Sequence, residues 1–306
     1  MNPMTMSDPQ TMTTGNKTCA ITGANGFVGT CLKRRIQSEG WRVIPWTRQP
    51  EPGTDGVPFH LGREVDAGQL KGMRALVHCA YDFGPLRRED IASVNVAGSQ
   101  KLLEAAQKAG VETVIVISSL SAFDGCRSHY GQAKLQIERV ALSAGAFVIR
   151  PGLVYGSHSG GMFGRLARQV RSSRIVPILW GGNQSQYLVH EEDLGNLLVG
   201  ALAGRLPAGI GPVSAAHAQG WELKEILARI ASALGKKISF VPVPWPAIWL
   251  GLKSLEIAGA PAAFRSDSLI SMVYQDPSPS LGLPTSLGFQ CRPFQITPAM
   301  LDGVPG

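Results

Sequence analysis

The sequence predicts a doubly wound α/β fold with a smaller C-terminal lobe. Three observations carry that expectation. Short apolar runs alternate with helix-patterned segments through the first half of the 306-residue chain. The first run closes on a glycine-rich loop that opens a helix. After residue 156 the alternation loosens.

The elements follow in order. "KTCAITG" (17–23) is a short apolar run ending in glycine, and "GFVGTCLKRRIQSEG" (26–40) has helical spacing through Val28, Leu32 and Ile36 until Gly40 stops it. "WRVIPW" (41–46) and "ALVHCA" (75–80) read as the second and third strands. A helix is expected over 94–110, a buried strand over "VETVIVISS" (111–119), a helix over "HYGQAKLQIERV" (129–140), and a strand in "AFVIRPG" (146–152). This βαβα rhythm calls for a parallel sheet with helices on both faces. Farther on, 160–173 looks helical, 187–204 is a strand running into a helix, and 220–235 is an amphipathic helix. The proline-framed apolar stretch 241–261 reads as a core or lid helix of the second lobe in preference to a membrane-surface helix, because its polar face is thin.

Composition bounds the function. Hydrophobic residues make up 44% and charged residues 17%, as in a globular protein. The net charge of +7 comes from scattered basic residues without a stripe or interleaved aromatics, which argues against nucleic acid and suits an anionic small molecule. None of the five cysteines pairs as CxxC, so they read as reduced thiols of a cytoplasmic protein. Residues 1–16 lack the pattern of a signal peptide and read as a flexible tail. No apolar run approaches the roughly 18–20 residues that span a bilayer. No His/Cys/Asp/Glu cluster has metal-ligand spacing, so no metal is expected.

"ITGANGFVG" (21–29) sets Gly23, Gly26 and Gly29 between the first strand and the first helix. The first glycine permits a tight turn, the second lets amides approach a pyrophosphate, and the third lets helix pack on strand. The helix N-terminus then offers unpaired amides to the anion. The residue closing the second strand selects the cofactor. An acid there binds a ribose 2′-hydroxyl, and an arginine pairs a 2′-phosphate. The acidic position holds Thr47 and is followed by Arg48. That pattern favours NADP over NAD.

Tyr130 and Lys134 are four apart on one helix and share a face. A protonated lysine there would lower the phenol pKa from its usual value of about 10. So tuned, the tyrosine could exchange a proton with a hydroxyl or carbonyl. Upstream, "ISSLSAF" (117–123) puts hydroxyls at the C-terminal edge of the sheet, where ligands of open α/β folds bind. Ser118, Ser119 and Ser121 compete for the role of donor to a substrate oxygen.

Together, "TGANGFVG", "HCA", Asn95 in "VNVAGS", "ISSLSAF", "YGQAK" and "RPGLVYG" resemble, in order and spacing, the extended short-chain dehydrogenase/reductase family. Within it they are similar to the NAD-dependent epimerase/dehydratase group acting on nucleotide sugars, over about residues 17–205. The resemblance implies a Rossmann domain, with Tyr130 as acid/base, Lys134 on the nicotinamide ribose and Ser119 completing the catalytic set. It implies a cofactor site of Gly23, Asn25, Gly26, Phe27, Val28, Gly29, Thr47, Arg48, Leu61, His78, Cys79, Ala80, Asn95, Tyr130, Lys134 and the run Pro151, Gly152, Leu153, Val154. It also implies pairing of two chains through helices of the first domain, and makes Asp193 structural. The expected division is a dinucleotide-binding domain over 17–156, with 183–205 returning to it, and a substrate lobe from 157–182 and 206–306.

The sequence departs from the family pattern in several places. The acid after the second strand is missing, and only ten residues separate Ser119 from Tyr130, which trims one wall of the substrate site. The second lobe has no diagnostic sugar-nucleotide motif. Candidate substrate contacts are Ser121, Gln186 and Arg265, the last being either a diphosphate partner or a solvated loop arginine. His190 reads as a core or turn residue. Asp124 is the acid nearest the serines that a dehydratase could use. The expected function is an NAD(P)-dependent epimerase or reductase acting on a secondary alcohol or ketone, foremost of a nucleotide sugar. The alternatives are an NADPH-dependent reductase of a non-sugar carbonyl and a non-catalytic dinucleotide-binding sensor or assembly protein.

Overall fold

The computed structural model describes residues 17–157, 160–179, 184–260 and 264–302. The tail over 1–16 lies outside them. Seven parallel strands form the main sheet: β1 (Thr18–Thr22), β2 (Arg42–Thr47), β3 (Val57–Pro58), β4 (Ala75–His78), β5 (Thr113–Ile117), β6 (Phe147–Pro151) and β10 (Val213–Ala215). Their order is β10-β6-β5-β4-β1-β2-β3. The chain runs outward from β1 in one direction and then returns to the other side through β4, which is the doubly wound pattern. β1 and β4 are buried at every position, as strands covered on both faces must be.

The helices of this half are α1 (Phe27–Ser38), α2 (Arg88–Ile91), α3 (Ala97–Ala109) and α4 (His129–Ser143). A π-helical turn over Ala92–Val96 joins α2 to α3. Leu32 and Ile36 of α1 share a core with Ile21, Val77 and Ile115 of the sheet. Glu138, 1% exposed, receives two hydrogen bonds from Arg150 of β6 at 2.8 and 2.5 Å. That fork pins α4 to the sheet, and a buried carboxylate needs such a partner.

The second half contains β7 (Leu153–Tyr155), α5 (Gly161–Ser172), β8 (Ile175–Leu179), β9 (Ser185–His190), α6 (Glu191–Leu202), β11 (Gly220–Glu222), α7 (Leu223–Ala233), β12 (Ser239–Val243), α8 (Trp245–Ile257), α9 (Ser266–Val273) and α10 (Leu283–Ser286). β9 pairs parallel with β7 and antiparallel with β11, and β8 pairs with β12. Phe163, Leu166, Ile226, Ile230 and Phe294 centre a separate core. Leu194, Leu197 and Leu198 of α6 pack instead into the core of the main sheet beside Leu32 and Ile36.

Two expectations need correction. β10 was assigned by sequence to the substrate lobe, but it is the edge strand of the main sheet, pairing with β6. Three residues are too few to show a periodicity. Of the two roles expected for the 241–261 stretch, core or lid helix, α8 does not fill the core one: none of its residues is buried, and Leu250 and Ile257 are 62% and 79% exposed. It lies at the surface against α9. No helix among the described residues is long and apolar enough to cross a membrane.

Candidate active site

The glycine loop stands where the motif requires it. Gly23 has φ +67°, and a Cβ there would sit 2.9 Å from the Ala80 backbone. A Cβ on Gly29 would come 2.1 Å from the Gly23 carbonyl oxygen, so the helix could not pack this closely with a side chain at that position. Asn25 and Gly26 are exposed at the mouth of the loop, with Phe27 and Val28 half-buried behind them. At the end of β2, Thr47 is 6% exposed and its Oγ1 has no hydrogen-bond partner among the described residues, while Arg48 is exposed. A closely packed glycine cradle and an orphaned buried hydroxyl at the ribose position fit a dinucleotide. Leu61 packs half-buried at the edge of the core beside β2.

His78, Cys79 and Ala80 follow at the end of β4. His78 is 2% exposed and both ring nitrogens are engaged, Nδ1 with Thr22 Oγ1 at 2.7 Å and Nε2 with Ser99 Oγ at 2.8 Å. Ser99 donates to the Asn95 carbonyl at 2.6 Å, so it accepts from Nε2–H, and Nδ1 accepts from Thr22. Burial, aided by the Lys134 charge, pushes the His78 pKa down to about 3. The ring is therefore a neutral strut between β1 and α3. Asn95 holds the loop. Its amide accepts from Asp82 N at 2.7 Å and donates to Asp82 O at 3.0 Å. The Cys79 thiol is pushed up to about 12 by burial and stays protonated.

Ser119, Tyr130 and Lys134 come together where β5 and α4 meet. Of the three serines, Ser119 forms the hydrogen bond with the Tyr130 phenol, and its Oγ also accepts from Ser121 N at 3.1 Å. Ser118 is buried and its Oγ has no hydrogen-bond partner among the described residues, and Ser121 contributes backbone rather than side chain to this cluster. Lys134 is 4% exposed and donates to the Ile117 carbonyl at 2.8 Å. Burial pushes its pKa down to about 8. The phenol differs from expectation. Burial pushes the Tyr130 pKa up to about 12, opposed only by the Ser119 hydrogen bond. The ammonium of Lys134, one turn away, is held at the end of β5 by the Ile117 carbonyl.

Sequence reasoning missed the walls around this phenol. The Tyr81 ring meets Tyr130 edge-on at 4.9 Å, and Phe83 stacks on it at 5.7 Å. Both lie in "YDFGP", a stretch with no periodicity to read. The substrate candidates of the second lobe are engaged elsewhere. Arg265 donates to the Phe83 and Pro85 carbonyls, and Gln186 donates to Gln275 at 2.8 Å. Asp124 is 93% exposed at its side chain and pairs with Arg139. Pro151 and Val154 are buried, Leu153 is half-buried, and Gly152 lies against the Tyr187 carbonyl, where a Cβ would sit 2.2 Å away. Asp193 forms a two-pronged pair with Arg292, and His190 caps α6 by accepting from Glu192 N. No group of three or more His, Cys, Asp or Glu residues that could hold a metal ion occurs among the described residues.

The model of the NAD dependent epimerase/dehydratase family matches residues 19–208. The chain is 28% identical over 297 residues to a ceramide reductase of Caulobacter vibrioides, covering 88% of this chain and 90% of that protein. It is 22% identical to N-acetyl-alpha-D-glucosaminyl-diphospho-ditrans,octacis-undecaprenol 4-epimerase of Escherichia coli O157:H7, covering 77% and 78%. Among solved structures, MoeE5 in complex with UDP-glucuronic acid and NAD superposes with a TM-score of 0.70 at 21% identity, over 94% of this chain and 96% of that one. The dTDP-glucose 4,6-dehydratase DesIV of Streptomyces venezuelae gives 0.66 at 18% identity, over 90% and 92%. At these identities the structural likenesses establish the fold.

Proposed function

The chain belongs to the NAD dependent epimerase/dehydratase family, an NAD(P)-dependent enzyme group of the extended short-chain dehydrogenase/reductase type, and we propose that it is a reductase of a ketone carried on an apolar, non-sugar molecule. The observation that carries this reading is the apolar setting of the Tyr130 phenol, with the Tyr81 ring edge-on at 4.9 Å and the Phe83 ring stacked at 5.7 Å. Burial pushes the phenol pKa up to about 12, and a phenol that keeps its proton at neutral pH suits donation to a carbonyl oxygen.

The residues present fit a dinucleotide, with the glycine loop on the pyrophosphate and Thr47 and Arg48 at the adenine ribose. Arg48 favours NADPH, since a guanidinium pairs a 2′-phosphate. When bound, the reduced nicotinamide supplies a hydride to the carbonyl carbon. The Tyr130 phenol gives its proton to the carbonyl oxygen, and the product is a secondary alcohol. Ser119 hydrogen-bonds the phenol and stabilises the phenolate left behind. Lys134, fixed to the Ile117 carbonyl with its ammonium 5.2 Å from the Tyr81 ring, would hold the ribose of a bound nicotinamide nucleotide.

The substrate class follows from what surrounds the phenol. Tyr81 and Phe83 are apolar walls, and Arg265 and Gln186 are engaged with protein partners rather than free for a diphosphate. The relative named a ceramide reductase, aligned along 88% of this chain, supports a lipid-like ketone. A dehydratase role is disfavoured by the exposure of Asp124. A second reading, epimerase of a nucleotide sugar, is favoured by the sequence motifs and by the undecaprenol-linked 4-epimerase relative.

The test is NADPH oxidation by the purified protein against long-chain and aromatic ketones, with UDP-linked sugars assayed in parallel for inversion. Turnover of a ketone with free exchange of NADPH supports the reductase. Inversion of a UDP-sugar with a retained cofactor would replace it by the second reading.

A further inference from the structure

A carboxylate of the second lobe caps the helix that carries the phenol. Asp267, in the first turn of α9, accepts from His129 N at 2.8 Å with one oxygen and from Tyr130 N at 2.9 Å with the other. Helix-start amides are ordinarily capped by a side chain a few residues away, and Ser128 does this for Gly131 N at 3.0 Å. The two remaining amides are capped from 138 and 137 residues away in sequence. The carboxylate also faces the positive end of α4, which adds to the attraction.

The neighbours of Asp267 fasten the other side of the same pocket. Arg265 holds the carbonyls of Phe83 and Pro85, in the loop whose rings pack on Tyr130. Ser266 is tied to Glu256 of α8 through its amide at 2.8 Å and its hydroxyl at 2.7 Å. Three consecutive residues of the second lobe therefore grip the start of α4, the aromatic loop and α8. None of the three was expected from sequence to touch the phenol's own helix.

We propose that Asp267 is a positioning residue for Tyr130: by capping the first two amides of α4 from the second lobe, it fixes the turn that sets the phenol against Ser119, so that docking of the second lobe and alignment of Tyr130 are one event. The effect on turnover rests on the proton-donor reading of Tyr130, but the effect on the position of its ring does not.

The experiment uses the full chain with 13C at the tyrosine ζ carbon. Five tyrosines give few signals, and Tyr130→Phe assigns the one that matters. In Asp267→Ala the Tyr130 signal moves and broadens while that of Tyr155, in the separate second-lobe core, stays in place. Asp267→Asn, which keeps an oxygen acceptor, restores most of the wild-type signal. The amides of His129 and Tyr130 exchange about tenfold faster in the alanine variant, the size expected for a lost cap. With a ketone that the wild type reduces, Asp267→Ala lowers kcat about tenfold or more and leaves the KM for NADPH within about twofold, as for a misplaced catalytic group. An unmoved Tyr130 signal in folded Asp267→Ala overturns the proposal. If that variant does not fold, Asp267→Ser, whose hydroxyl is too short to span both amides, takes its place, and an unmoved Tyr130 signal with unchanged exchange at both amides there does the same. A wild type that reduces no ketone removes the functional reading and leaves the spectroscopic result standing.

Discussion

Lys134 stands one helical turn from Tyr130, yet its ammonium is bound to the Ile117 carbonyl oxygen, 2.8 Å away, and the phenol is held by Ser119. The lysine thus fixes α4 to the end of β5, and the phenol keeps its proton.

Lys134→Met keeps the stem and removes the charge, leaving the Ile117 carbonyl unpartnered. Loss of a charged hydrogen bond costs about 1.5–3 kcal/mol. Cofactor affinity and rate should both fall roughly tenfold or more on that scale. Because burial lowers the lysine to about 8, it is charged below that pH and neutral above it. Wild-type kcat/KM should decline as pH rises through about 8, and the decline should vanish in Lys134→Met. Rate and NADPH titration across pH check both statements, and an effect on neither makes Lys134 a packing residue only.

Arg48→Ala should weaken NADPH about ten- to a hundredfold and leave NADH nearly unchanged, since only the former carries a 2′-phosphate for the guanidinium to pair. Fluorescence titration with each nucleotide distinguishes them. Equal loss would remove the basis for preferring the phosphorylated cofactor.

His78 predicts an acid-sensitive fold. Its pKa is about 3 in the folded protein against 6.5 ordinarily, so below pH 6.5 the unfolded chain takes up a proton that the folded ring refuses. Stability is lost as pH falls from 6.5 toward 3, at up to about 1.4 kcal/mol per pH unit. The wild type should exceed His78→Gln in stability at neutral pH, and the gap should narrow by about 2.5 kcal/mol at a pH near 4.5. Urea unfolding at both pH values measures it. A constant gap would mean that the ring is charged or exposed.

Much of this was legible beforehand. The order of β1, α1, β2, β4, α3, β5 and α4 follows from apolar runs alternating with helical periods, because strands buried on both faces have little choice of residue. Gly23 and Gly29 could be read because no other residue tolerates their backbone and contacts. The proximity of Tyr130 and Lys134 followed from helical geometry alone. Their electrostatics did not, because burial and the Ile117 carbonyl belong to packing. The three-residue β10, the aromatic walls at Tyr81 and Phe83, and the cap from Asp267 were out of reach for one reason. Each is set by segments distant in sequence and has no local period. Arg265 and Gln186 were read as ligand contacts by charge and polarity, and the structure shows their partners to be protein groups.

The proton donor can be tested by removing one oxygen atom. Tyr130→Phe keeps the ring between Tyr81 and Phe83 and deletes only the hydroxyl that Ser119 holds. Steady-state NADPH oxidation with an accepted ketone, paired with NADPH titration of the same preparation, should show a rate lower by about a thousandfold, within the range for a lost general acid, and binding within about twofold of wild type. A variant that still turns over near the wild-type rate would mean that the proton comes from another group.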